Sequence, residues 1–175
     1  MATIKKMLDD ILYDGVYSVF EVVGMENVPI VFANESGMEP ESTYCIIDVL
    51  GFEQTGLVYE STFVSPAKYD QLWSVTQYKL KTQFTFLGDQ SEDYGWEFRH
   101  HVVNNRVCTE ALQRKNLSIA YRSDLRNSPQ PRETRWMDSQ AMDLHFNLAL
   151  RTKQDIDWVE FITINGTEYR IYNNE

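Results

Sequence analysis

The stretch Trp73-Ser-Val-Thr-Gln-Tyr-Lys-Leu-Lys-Thr-Gln-Phe-Thr-Phe86 decides the fold class. Tyr78, Leu80, Thr82, Phe84 and Phe86 fall on one side, and Lys79, Lys81, Gln83 and Thr85 on the other. Side chains of a strand alternate between faces, so this pattern predicts an antiparallel strand with one buried and one wet face. Downstream, Trp136 to Leu150 repeats it as the longest strand. Met142, Leu144, Phe146, Leu148 and Leu150 share one face, and Asp143, His145, Asn147 and Arg151 the other. Upstream, Thr43 to Phe52 is almost continuously apolar through Tyr44, Cys45, Ile46, Ile47, Val49 and Leu50, which marks a central strand. Thr55 to Val64 is β-prone and placed to pair with it.

Helical spacing flanks these strands. From Thr3, a candidate cap, to about Phe20, Ile4, Leu8, Ile11 and Leu12 lie on one face, and Lys5, Lys6, Asp9 and Asp10 on the other. Gly15 weakens the second half of this helix. A central helix opens at Ser91, Asp93 and Tyr94 and runs to about Lys115. Its apolar stripe is Phe98, Val102, Val103, Val107, Ala111 and Leu112. Arg114 and Lys115 suit the negative end of its dipole. Val28 to Ala33 is a short extended run, Asn34 to Ser42 a loop, Ser65 to Leu72 a turn around Pro66, and Leu117 to Tyr121 a short strand. Arg122 to Arg135, with Pro129 and Pro131, has no periodicity and reads as a long polar loop of functional or mobile character.

Near the C-terminus, Ile164-Asn165-Gly166-Thr167 is the signature of a two-residue hairpin. Its register sets Ile162 opposite Tyr169, Ile164 opposite Thr167 and Glu160 opposite Ile171, with Trp158 on the same apolar face. The element order gives an α+β fold: a mostly antiparallel β-sheet flanked by an N-terminal helix and a central helix, with a C-terminal β-hairpin. Residues 1–152 are expected to form the domain. Residues 153–175 are a hairpin extension packed on that domain or on a neighbouring subunit.

Charge is unevenly placed along the 175 residues, whose net charge is -10. From Met1 to Glu60, Lys5 and Lys6 stand against eleven acids. From Arg99 to Arg135, Arg99, Arg106, Arg114, Lys115, Arg122, Arg126, Arg132 and Arg135 stand against Glu110, Asp124 and Glu133. Two solvated surfaces would explain this. So would head-to-tail contact between copies, acidic patch on basic patch. The basic stretch lacks the aromatic interleaving and motifs of nucleic-acid binding. With 43% hydrophobic and 24% charged residues the composition is globular, and Met1 to Asp10 lacks a signal peptide's basic start and apolar run. An acidic, soluble, intracellular-type domain is the expectation. Asn165-Gly166-Thr167 matches a glycosylation sequon, a reading that this compartment rejects.

Chemistry-bearing patterns are sparse. Cys45 and Cys108 stand alone and read as buried small hydrophobes. His101 and Cys108 share a helical face two turns apart, where metal ligands need one. Asp9 with Asp10, and Asp155 with Asp157, are ordinary solvated pairs. No GxSxG, phosphate-loop or dinucleotide motif is present, and nothing implies a cofactor or a metal. His145, between Asp143 and Asn147, is the one conceivable general base, in a small intracellular enzyme.

Pro29-Ile-Val-Phe-Ala-Asn-Glu-Ser-Gly-Met-Glu-Pro40, followed by Ser42-Thr-Tyr-Cys-Ile-Ile-Asp-Val49, resembles the neck and tail terminator proteins of tailed bacteriophages. Trp73 to Phe86 is similar to that family's second long strand, Trp96 to Lys115 to its central helix, and Ala141-Met-Asp-Leu-His-Phe146 to its last core strand. The resemblance covers residues 3–150. It implies a virion protein of the head–tail junction, assembled in the host cytoplasm. Such proteins form a ring, usually of six copies, that caps the tail tube, stops its polymerisation and docks to the head connector. Genomic DNA passes through the lumen without specific binding, and no membrane is involved. A connector stopper or another neck or tube subunit of similar fold is the alternative. The interface candidates are Asn34, Glu35, Glu39 and Glu41 in one loop and Arg122, Arg126, Arg132 and Arg135 in the other, with the hairpin aromatics Trp158 and Tyr169.

Overall fold

The computed structural model describes residues 4–33, 38–56, 59–63, 71–132, 135–155, 161–164 and 167–170. In chain order the elements are α1 (Ile4–Val23), β1 (Ile30–Phe32), β2 (Tyr44–Gln54), β3 (Tyr59–Phe63), β4 (Gln71–Leu87), α2 (Ser91–Asn104), α3 (Arg106–Arg114), β5 (Leu117–Arg122), β6 (Arg126–Asn127), β7 (Gln130–Arg132), β8 (Arg135–Met137), β9 (Ser139–Asp155), β10 (Phe161–Ile164) and β11 (Thr167–Arg170). Residues 1–56 with 77–149 form one compact unit, and 57–76 with 150–175 a second.

The architecture is α+β, with a mostly antiparallel mixed sheet. Strand order in the main sheet is β1-β2-β4-β9-β5. The alternation of β4 and β9 puts Leu80, Phe84, Phe86, Met142, Leu144, Phe146 and Leu148 into one buried cluster. The Thr82 hydroxyl, on the same face, donates to the Leu144 carbonyl at 2.5 Å and so stays satisfied in the core. The extended run before the first loop becomes β1, and it lies parallel to β2, with Ile30 opposite Cys45 and Phe32 opposite Ile47. β2 is interior, as its apolar run requires.

Helix α1 buries Leu8, Leu12, Val16, Val19 and Phe20, whereas Ile4, expected on that face, is 51% exposed. Gly15 does not interrupt the helix. A Cβ there would come 2.4 Å from the Leu117 side chain, so its missing side chain lets α1 approach β5. The helix runs past Phe20 to Val23 and ends in a Schellman turn. Met25 N donates to Phe20 O at 2.8 Å, and Gly24 takes the positive φ of 73° that the motif needs.

Four expectations are corrected. The central helix is two helices, broken at Asn105. The extended backbone there lets the Asn105 side chain accept from Val107 N at 2.9 Å and cap α3. The break shifts the helical phase, so Cys108 is buried with Phe98, Val102, Ala111 and Leu112, while Val103 and Val107 face solvent. β3 does not pair with β2. Its antiparallel partner is the start of β4, from Gln71 to Val75. The stretch Arg122 to Arg135 is not a plain loop. It contains β6, paired to β9, and one strand and the first residue of the ribbon β7–β8, in which Arg132 lies opposite Arg135. That ribbon ends at Met137, so the last long strand starts at Ser139 rather than Trp136.

In the second unit, β3 pairs with the start of β4. The hairpin β10–β11 sets Ile162 opposite Tyr169 and Ile164 opposite Thr167, the register that Asn165-Gly166 predicts. Thr3, the turn at Pro66, and the Glu160–Ile171 pair lie outside the described residues.

Candidate subunit-contact surfaces

All three helices feed the same apolar cluster as the inward residues of β4 and β9, so they lie on one face of the sheet. The opposite face carries the polar half of each alternation: Lys79, Lys81, Gln83 and Thr85 from β4, and Asp143, His145 and Asn147 from β9. Asp48 and Glu53 join from β2, and Arg126 from β6.

Most charges on this face are already matched. Arg126 grips Asp143 with one amino group, 2.9 and 3.0 Å from its two oxygens. Gln83 donates to the same carboxylate at 3.1 Å. Lys81 lies 3.6 Å from Glu53. These pairs leave Lys79 and Asp48 on this face, and the exposed Arg151 further along β9, without an ion pair among the described residues.

Asp143 and His145 are each engaged by other residues. The carboxylate is held by Arg126 and Gln83, and the imidazole lies against the Tyr121 ring, with centroids 4.7 Å apart. Burial, then the nearby Lys79, push His145 below its ordinary pKa. Lys81 adds to this and Asp143 opposes it. Both cysteines are free and buried, and burial raises both thiols. Among the described residues no three acidic, His or Cys side chains gather as a metal site. No described helix is long and apolar enough to cross a membrane.

Four of the eight cations of the sequence-defined basic stretch are paired where they stand. Arg99 meets Asp124 at 2.6 Å and lies over the Trp96 ring, its guanidinium carbon 5.4 Å from the centroid. Arg106 meets Glu110 at 2.7 Å, and Lys115 meets Asp14, from the acidic third, at 3.2 Å. Arg114 and the half-buried Arg122 have no ion pair among the described residues. Glu39 and Glu41 are exposed, and the Tyr44 hydroxyl donates to the Glu39 carboxylate. Asn34, Glu35 and Trp158 lie outside the described residues, and Tyr169 is placed on β11.

Two features were not singled out by the sequence. A groove of about 570 Å³ lies beside Lys79, lined by Thr55, Gln77, Asn116, Ser118, Asn147 and Ala149 among others. Its signal was present as two lysines on a wet strand face whose β2 neighbour offers them one acid, Glu53. Met38, an apolar residue in a polar loop, is 98% exposed.

Residues 2–170 match the profile of the family described as phage neck terminator protein. No curated protein matches the chain. With that profile covering nearly all of its length, the chain belongs to the phage neck terminator family, structural proteins of the virion that meet tail and head components at the neck.

Proposed function

We propose that the chain is the subunit of a closed ring, six copies in the family's usual form, that caps the tail tube, ends its polymerisation and docks to the head connector. Genomic DNA would pass through the lumen without specific binding. The observation that carries this reading is the family match over residues 2–170. The surface is consistent with it. Leu50, Phe52, Met38 and Trp136 are large apolar side chains left in solvent, and Trp136 is of the residue type most enriched among interface anchors. Glu39 and Glu41 on one side and Arg122 and Arg126 on the other remain the interface candidates, with Arg126 already engaged by Asp143. The segment 153–175 is proposed as an extension that packs on its own domain or on a neighbour.

Light scattering of the purified protein across concentration, with and without tail-tube protein, tests this. A discrete ring, free or on the tube, is the expected result. A monomer indifferent to tube protein would refute the reading and favour a subunit that acts elsewhere in the neck.

A further inference from the structure

We infer that Met38 and Glu41 of one copy seat in the Lys79 groove of the next copy, and that this is the head-to-tail contact of the ring. The inference rests on the ring reading above and names its contact.

Lys79 is the one charged residue named in the groove lining, and Glu53, opposite it on β2, is engaged by Lys81 at 3.6 Å. Lys79 is half-buried and has no ion pair among the described residues. Thr55, Gln77, Ser118 and Asn147 around it offer hydrogen bonds without charge, and Ala149 and Leu148 add apolar wall. The chemistry that fits is a carboxylate next to a compact apolar group. The exposed loop before β2 presents that combination. Met38 is 98% exposed, Glu41 is exposed, and Pro40 lies between them. The buried Tyr44 fixes the base of the loop by donating to Glu39, so less ordering is lost on docking.

A copy cannot fill its own groove. The loop enters β2 at Tyr44, which pairs with Leu87, while Lys79 pairs with Glu53, nine residues along β2. At about 3.3 Å per residue the two ends of that ladder are roughly 30 Å apart. Complementary surfaces at opposite ends of one sheet make a heterologous contact, which closes into a ring when the rotation permits. A nucleic acid is the poorer occupant, since one lysine on a chain of net charge -10 gives phosphates little attraction.

The test uses the full chain, with tail-tube protein if the ring needs it. Lys79→Glu and Glu41→Lys, and the milder Lys79→Gln if reversal disturbs folding, are compared with the double reversal in one chain. Unfolding midpoints serve as the control. Each single change should raise the concentration for half-assembly about tenfold, as close interfacial charge pairs do, and the double should recover most of it. Met38→Ser should weaken assembly without altering its salt dependence. A wild-type ring indifferent to the single changes, or a double no better than the worse single, overturns this contact and leaves the ring standing. A wild-type chain that forms no ring, alone or with tube protein, removes the ring reading and this contact together. If Lys79→Glu alters retention of double-stranded DNA but not assembly, the groove faces the lumen and the inference is wrong.

Discussion

Replacing Gly88 by alanine should be the most damaging single-methyl change in the main unit. Gly88 joins β4 to α2 at a φ of +117°, a conformation that L side chains rarely adopt. A Cβ there would lie 2.6 Å from Thr43 Oγ1, 2.8 Å from Thr43 Cα and 3.1 Å from Thr43 Cβ. The Cα is backbone and cannot rotate away. The neighbourhood is tied on three sides: Gly88 N donates to Asp138 O at 3.1 Å, Ser91 N donates to Gly88 O at 3.0 Å, and Gln90 N donates to Thr43 Oγ1 at 3.2 Å. Backbone strain of this type costs about 1–3 kcal/mol. Overpacking against fixed atoms adds about 1–3 kcal/mol. The total, about 2–6 kcal/mol, is a large part of the roughly 5–15 kcal/mol by which native proteins are stable. Urea unfolding followed by tryptophan fluorescence is the assay. With a slope of about 2 kcal/mol per molar, the midpoint should fall by about 1–3 M. Gly24→Ala is the control: φ is +73° and no atom stands within 4 Å of the added Cβ, so only the left-handed backbone cost of about 1–2 kcal/mol applies. Equal losses at the two glycines would refute the collision with Thr43. Because Thr43 ends the loop that holds Met38 and Glu41, the Gly88 variant should also weaken assembly more than its Gly24 counterpart.

Phe98 is the hub of the core, fully buried, with ring centroids 5.3 Å from Phe20, 5.4 Å from Phe84 and 5.6 Å from Phe86. Phe98→Ala should cost about 3–5 kcal/mol in urea unfolding, and a loss below about 2 kcal/mol would mean that the cluster closes over the gap. His145 titrates below its ordinary pKa in the fold, so the unfolded chain binds its proton first as pH falls; stability should therefore decline from about pH 6.5 downward until the native imidazole is also protonated. His145→Gln should reduce the difference between unfolding midpoints at pH 7.5 and pH 5, and an unchanged difference would show that Lys79, Lys81 and burial do not act on this ring.

What the sequence made legible was local. The alternations from Tyr78 to Phe86 and from Met142 to Leu148 sort side chains between faces whatever the neighbouring strand is, so both faces of β4 and β9 were readable. The register at Asn165-Gly166 is set by the turn itself, and Ile162 opposite Tyr169 followed from it. Choices of partner were not readable. Val31 faces Ile46 in a parallel pair, and Tyr59 faces Val75 rather than a residue of β2, because β-prone segments carry no address. The break at Asn105 was missed because one asparagine side chain turned back on Val107 N outweighs an apolar stripe that otherwise continues. The short strands β6 and β7 depend on pairing with β9 and β8, and their own residues, Arg126-Asn127 and Gln130-Pro131-Arg132, have no strand pattern.

Charge is the property most altered by folding. Along the chain, Arg99 to Arg135 looks like a cationic surface. In space, Arg99, Arg106, Lys115 and Arg126 each hold an acid, and the one bound to Lys115 comes from the acidic third of the same molecule. Such pairs add little stability, about 0–1 kcal/mol each when exposed. Their larger effect is on binding. A partner's carboxylate arriving at Arg126 must compete with the two Asp143 oxygens, and it loses much of what it gains. The same carboxylate arriving at Lys79 displaces water. Complementarity between copies is therefore decided by the charges that remain after intramolecular pairing. By that criterion Lys79 joins Arg114 and Arg122 among the cations still open to a partner, and of these three it is the one that lines the groove beside Asn147.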